Sequence, residues 1–361
     1  MTMKKSIYKP GSLFIASLLL LSYSISAQEL TREFSKEYKV EQGKTLDLNN
    51  KYGNIVVETS ETDQVRIDVK VTLRYPNREK AERLLSYIDI RFEEDSDRIS
   101  ARTVIDDKFS FTGWGGDSKK FTINYNVKMP EWMDLNLTNR YGNTDLDDLD
   151  GKVKLDIKYG NLTASKIRRG NQKPLNSLTL SYGKGSIEEA GWLDATLRYS
   201  GNFSIDKSQA LLVDSKYSKL YFGSVNSMVC ESKYDNLNIE TIHNLVLNGG
   251  YTDINIGTLI KKLVFEGAYG AFDVDRIPAG FESLKTNSRY CGIRMGIEES
   301  AAYKLDAKMS YGSLKIEEDN FKTKKRIVNN TSSETTGIMG NDESPSSDVS
   351  ITSSYGSVKL Y

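Results

Sequence analysis

The 361 residues contain one histidine, two cysteines and six prolines. A single histidine excludes most histidine-based acid–base catalysis and histidine-rich metal sites. Basic and acidic residues number 49 each. That balance lacks the basic footprint that releases counterions from a polyphosphate backbone, so no nucleic-acid partner is expected. No phosphate-cradling glycine loop, zinc-ligand spacing or nucleophile elbow is present. Nor is there an apolar run long enough to span a bilayer. What remains is 38% apolar and 27% charged, a soluble, globular composition. The length suits one or two ordinary domains, or one extended repeat domain.

The N-terminus reads as an export signal. Lys4, Lys5 and Lys9 form a basic start, and Leu13 to Leu21 form a short apolar core broken only by Ser17. Small residues Ser24, Ser26 and Ala27 follow, which sets the expected signal peptide at 1–27 and the first mature residue at Gln28. Removing 1–27 takes away three lysines and no acid. The remainder carries 46 basic and 49 acidic residues, a net charge of −3. The expectation is an exported protein, periplasmic or at the cell surface, with no membrane span in the mature chain.

Against this background the 21 tyrosines stand out, because twelve of them occupy one recurring position. They are Tyr52, Tyr141, Tyr159, Tyr182, Tyr199, Tyr217, Tyr234, Tyr251, Tyr269, Tyr290, Tyr311 and Tyr355. From Tyr141 to Tyr311 the spacing stays between 17 and 23 residues. Four places before the tyrosine stand mostly apolar residues such as Leu137, Leu155, Val213, Cys230 and Leu247. Three and five places after it stand others, such as Leu220 with Phe222 and Ile254 with Ile256. Polar residues alternate with these, which is the period of a strand. Each repeat thus holds two short strands and two bends. It cannot bury its apolar side alone, and stacking the repeats at roughly 4.8 Å buries a continuous core. The fold expected is all-β: a parallel β-solenoid (a single-stranded β-helix) with about 17–23 residues per turn. A sandwich of antiparallel hairpins is the competing architecture. It gives no reason for one residue type at one offset in successive units.

Parity predicts that each tyrosine shares the phase of the apolar residue four places earlier and points inward. The small residue after it, often Gly, Ser, Asp or Thr, is expected at the turn, where glycine tolerates positive φ. The residue before it is expected outside.

Five segments follow from the pattern. Residues 1–27 are the signal peptide. Residues 28–135 hold the first turn and an N-terminal cap, with a short helix after Pro76 and several strands. Residues 136–319 are the tyrosine-ladder solenoid. Residues 320–348 are polar and expected to be a flexible insertion, and 349–361 supply the final strands, expected to close the far end.

Lys158, Arg198, Lys216 and Lys233, each just before a tyrosine, would form a basic stripe for a polyanion or acidic glycan. Acids two places earlier, such as Asp156, Asp214 and Glu231, offer a plainer account through cross-strand pairing. Trp114, in the glycine-rich stretch Gly113–Gly116, is the tryptophan best placed to stack on a sugar ring. The acidic run Thr144–Gly151 resembles a calcium loop only at a glance, because its glycine is misplaced and no glutamate closes it. No metal site and no cofactor are expected. Cys230 and Cys291 fall on turns three apart, roughly 14 Å along the stack. A disulfide needs Cα atoms within about 7 Å, so none is expected.

The stretch Phe121–Pro130 followed by Leu135–Asn143, downstream of a signal peptide, resembles the entry of the bacterial putative-adhesin domain family of unknown function, in its Bacteroidetes-type members. That resemblance implies a single-stranded β-helix with no established catalytic residues, and it carries no site residue across. The expected function is a non-enzymatic, exported cell-envelope or surface protein that binds a macromolecule: a glycan, a cell-wall polymer or a surface protein. Two alternatives are a polysaccharide lyase or hydrolase built on a β-helix, and a periplasmic structural or envelope-stress component without a ligand.

Overall fold

The computed structural model describes residues 28–111 and 120–361. The predicted signal peptide and Trp114 lie outside the described residues.

Nearly every described segment is strand, and the strands join one large, mostly parallel sheet system. Register follows the repeat. Val213 lies between Ala195 and Cys230, and Cys230 lies beside Leu247. On the other side of the tyrosine, Phe222 lies between Ile205 and Ile239. Like positions therefore stack on like positions, as the spacing predicts. The columns four before and three and five after the tyrosine form the core. Leu155, Ala195, Leu220, Phe222, Ile254 and Phe272 are all fully or almost fully buried. Burial alternates strictly along strands such as Tyr303–Ser310, because successive side chains point to opposite faces.

The tyrosine corner departs from the expectation. All twelve tyrosines have positive φ, between 51° and 71°. A residue in this left-handed region swings its side chain out of the strand alternation, so the phase slips by one. The ring turns outward and the next residue turns inward: Ser200, Ser218, Asp235 and Thr252 are buried. The inward tyrosines and the positive-φ glycine expected from parity are both corrected by this geometry. The corner stays hydrogen-bonded because the tyrosine N–H groups from Tyr52 to Tyr234 donate to the next repeat, as from Tyr199 to the Lys216 carbonyl and from Tyr217 to the Lys233 carbonyl, while Tyr311 N–H donates to the Thr331 carbonyl of the hairpin.

Where the following residue is glycine, the corner is closed to any side chain. A Cβ on Gly142 would meet the Gly53 carbonyl oxygen at 1.8 Å, and one on Gly160 would meet the Gly142 carbonyl oxygen at 1.8 Å. The asparagine after it ties the repeats together. Asn54 Oδ1 accepts from Asn143 N, Asn143 Oδ1 from Asn161 N, and Asn161 Oδ1 from Lys184 N, at 2.9–3.0 Å.

The two ends are built differently. At the start, Arg98–Ile105 and Lys120–Pro130 pair in parallel with the strands of the first repeat. Antiparallel strands Gln64–Tyr75, Gln28–Lys39 and Ile88–Glu94 lie outside them, with the helix Arg78–Ser86 packed nearby. Asn77 caps that helix, its side chain accepting from Lys80 N.

At the other end two expectations are corrected. Residues 320–348 are not an unstructured insertion: Phe321–Val328 and Ser332–Met339 form an antiparallel hairpin that pairs onto Tyr303–Ser310. Nor does the last repeat close the far end. Ser347–Ser354 pairs in parallel with Ser283–Ile297 on one side and with Tyr303–Ser310 on the other. The spatial order of the final tyrosines is therefore Tyr290, Tyr355, Tyr311.

Cys230 and Cys291 are buried free thiols in separate repeats. Burial pushes the Cys291 thiol up to about 11 and the Cys230 thiol higher still.

Candidate binding face

The left-handed corners bring the twelve tyrosines into one exposed row. Successive ring centroids are 4.7–5.2 Å apart and the planes lie within 18° of parallel. From Tyr141 onward the rings are 39–60% exposed. Their faces are covered by one another, so the row presents ring edges and phenol hydroxyls. Among the described residues, none of the hydroxyls from Tyr141 to Tyr355 has a protein hydrogen-bond partner. Eleven steps of strand spacing make the row about 50 Å long.

This arrangement works against backbone preference. A non-glycine residue in the left-handed region costs roughly 1–2 kcal/mol, and glycine or asparagine would avoid most of it. A stacked aromatic pair contributes about 0.5–1.5 kcal/mol beyond its buried area. The two effects are of similar size, so stacking offsets the strain without a clear surplus. Phenylalanine would stack equally well. Stability therefore tolerates an aromatic residue at each corner, and does not account for the hydroxyl.

The basic residues singled out in the sequence sit beside this row. Arg140 pairs in register with Lys158, and Arg198, Lys216 and Lys233 are successive neighbours in one column. Ser181 interrupts the column between Lys158 and Arg198. The four residues differ in what they do. The Arg198 guanidinium donates to Asp214 at 2.5 Å and to the Asp214 carbonyl at 2.8 Å, the expected cross-strand pair. Arg140 makes the same contact with Asp156. Lys158 Nζ lies 5.2 Å and 5.7 Å from the Tyr159 and Tyr182 ring centroids, a cation–π contact. Lys216 and Lys233 have no carboxylate partner among the described residues. Of the four, only Arg198 is thus neutralised by a carboxylate.

Two acids of the run Thr144–Gly151 are engaged by Arg168, which donates to Asp148 at 2.5 Å and to Asp150 at 2.6 Å, and also to Glu131 outside the run at 3.2 Å; Asp147 accepts from Thr59 N. Among the described residues no group of three or more His, Cys, Asp or Glu is placed to hold a metal ion, and no helix is long and apolar enough to cross a membrane.

Sequence reasoning missed the cations at the far end of the row. Arg289 lies over Tyr290 and Tyr355 at 5.2 Å and 5.8 Å. Arg294, Lys315 and Lys359 stand side by side on its other flank. Arg289 precedes a tyrosine like the other basic residues and could have been found that way. The adjacency of Lys315 and Lys359 could not, because it depends on the last repeat inserting between two earlier ones.

No family model matches the chain, and no curated protein matches it. Among solved structures, a putative lipid binding protein from Parabacteroides distasonis is 10% identical over 91% of this chain and 96% of its own, with a TM-score of 0.33. A putative adhesin from Bacteroides fragilis is 12% identical over 91% and 97%, with a TM-score of 0.28. A putative cell adhesion protein from Clostridium sporogenes is 12% identical over 91% and 99%, with a TM-score of 0.19. Similarity at these TM-scores transfers neither fold nor function to this chain.

Proposed function

We propose that the chain is an exported, non-enzymatic β-solenoid, capped by residues 58–135, whose tyrosine row is a binding edge for a linear polymer of the cell envelope or surface. The in-register parallel pairing of successive repeats supports the solenoid. One observation carries the functional reading: tyrosine occupies all twelve left-handed corners, and its hydroxyls from Tyr141 onward face solvent unpartnered. A row of donor–acceptor groups, one per repeat and flanked by Lys216 and Lys233, suits a partner that is itself long, regular and rich in hydroxyls. Extended glycans have those properties.

The test compares two variants of the protein on an array of cell-wall and surface polysaccharides. Replacing Tyr199, Tyr217 and Tyr234 together by Phe keeps the stack and removes three hydroxyls. Polymer binding is expected to fall at least ten-fold, with thermal stability little changed. Binding equal to that of the unsubstituted protein, or none by either protein to any polymer, sinks the reading. Protease treatment of intact cells separates a surface location from a periplasmic one.

A further inference from the structure

The last four repeats share a feature that the others, apart from the repeat of Tyr199 with its Gly201, lack. Two residues after the tyrosine, earlier repeats carry side chains such as Asn143, Asn161, Lys184, Lys219 and Asn236. Here the same position is Ala271, Gly292, Ser357 and Ser313. Shrinking these side chains opens a groove alongside the tyrosine row, with a volume of about 760 Å³. Tyr290, Tyr355 and Tyr311 form one wall, Gly292, Ser357 and Ser313 the floor, and the hairpin turn at 329–333 the end. Across the same floor residues the groove continues into a second depression of about 380 Å³, walled by Arg294, Lys315 and Lys359.

The walls differ in chemistry. The tyrosine wall offers ring edges and free hydroxyls. The opposite wall is cationic: Arg294 is held by Asp273 at 3.0 Å, whereas Lys315 and Lys359 have no carboxylate partner among the described residues. The turn adds Asn329, Asn330 and Thr331. Tyr311 is the last ring of the row, 60% exposed, and stacks on Tyr355 alone. The first ring, Tyr52, has Phe121 edge-on against it at 5.1 Å. Among the described residues, then, the row offers a ring face without an aromatic neighbour at the Tyr311 end. It lines the same cavity as three polar side chains.

We propose that this groove binds the end of an extended acidic polysaccharide: sugar units lie along the tyrosine edges, carboxylates meet Lys315 and Lys359, and the terminal ring rests against Tyr311. The proposal rests on the tyrosine row being a polymer-binding edge and adds the place and charge of its anchoring site. Spacing favours a glycan over a peptide. The rings here repeat at 4.8–4.9 Å, comparable to the advance of one sugar in an extended β-linked chain. An extended peptide advances about 3.3 Å per residue and meets the rings only at every third residue, so it cannot offer one unit to each ring.

The experiment uses the full chain and three probes of similar length, followed by calorimetry: a β-linked mannuronate hexamer, cellohexaose and a glutamate decapeptide. The mannuronate hexamer is expected to bind at least ten-fold more tightly than either of the others, and less tightly as salt rises. The double substitution Lys315→Glu with Lys359→Glu, on two exposed side chains, is expected to weaken it at least ten-fold. So is Gly292→Phe, which fills the groove where a Cβ would meet nothing within 4 Å. Circular dichroism and the melting temperature check that both variants fold. Hexamer binding untouched by both variants overturns the proposal, as does preference for the decapeptide or for cellohexaose. The Tyr199, Tyr217 and Tyr234 triple Phe variant separates the two readings. Loss of long-polymer binding there, with no groove dependence of the hexamer, leaves the tyrosine edge standing and removes the groove.

Discussion

The tyrosine corner is built in two ways in one molecule. In the repeats of Tyr52, Tyr141, Tyr159 and Tyr182 a glycine follows the tyrosine, and the neighbouring repeat's backbone closes over it. In those of Tyr199, Tyr217, Tyr234 and Tyr251 the following residue is Ser, Ser, Asp or Thr, buried and hydrogen-bonded. Asp235 shows the second solution most fully. Its carboxylate accepts from Ser218 N at 2.6 Å, from the Ser232 hydroxyl at 2.7 Å and from Lys233 N at 3.2 Å. The comparison teaches that a left-handed corner needs a small inward residue after it. The space can be taken up either by the adjacent main chain or by a polar side chain that satisfies it.

The largest effect that would break this comparison is at Gly160. Its Cβ would overlap a main-chain oxygen that cannot move aside freely, so Gly160→Ala is expected to cost about 3 kcal/mol. The same substitution at Gly201, where nothing lies within 4 Å, is expected to change stability little. Denaturant unfolding of the two variants checks this, and equal midpoints would mean the glycine corner is not sterically closed. A smaller effect concerns the asparagine column. Asn143→Ala removes the acceptor of Asn161 N–H and is expected to cost about 1 kcal/mol, with faster amide exchange at Asn161. Lys219→Ala, at the corresponding place in a polar repeat, is expected to stay within about 0.5 kcal/mol.

The smallest effect is one of pH. Burial raises the Asp235 carboxyl above its ordinary range, against the pull of its hydrogen bonds. The folded state then binds this proton more readily than the unfolded state does. Stability from this group falls as pH rises through its folded pKa, and is recovered below the unfolded value. Relative to Asp235→Ser, the natural protein is expected to gain melting temperature as pH falls from 7 towards 4. A difference that does not change over that range would show that the hydrogen bonds cancel the burial.

The repeat, its register and most core columns were legible in the sequence, because Leu155, Val213, Phe222 and Ile254 obey a period of two between bends. The direction of the tyrosines was not, since one left-handed residue inverts the phase and parity assumes there is none. A hint was present: the residue after the ring is small in nearly every repeat, as the inside of a tight corner requires. Tyrosine where phenylalanine would suffice was a second hint. The groove was illegible for another reason. Its floor joins Gly292, Ser357 and Ser313, which are out of chain order, and no spacing rule anticipates that order.

That reversal of order has a consequence for how the molecule is made. Ser283–Ile297 and Tyr303–Ser310 are held apart by a strand translated some forty residues later. A nascent chain must keep the seam between them open until residues 347–360 arrive, and the Lys315–Lys359 pair exists only after it shuts. A polypeptide truncated at 346 would expose two unpaired parallel edges at this end, a template for aggregation.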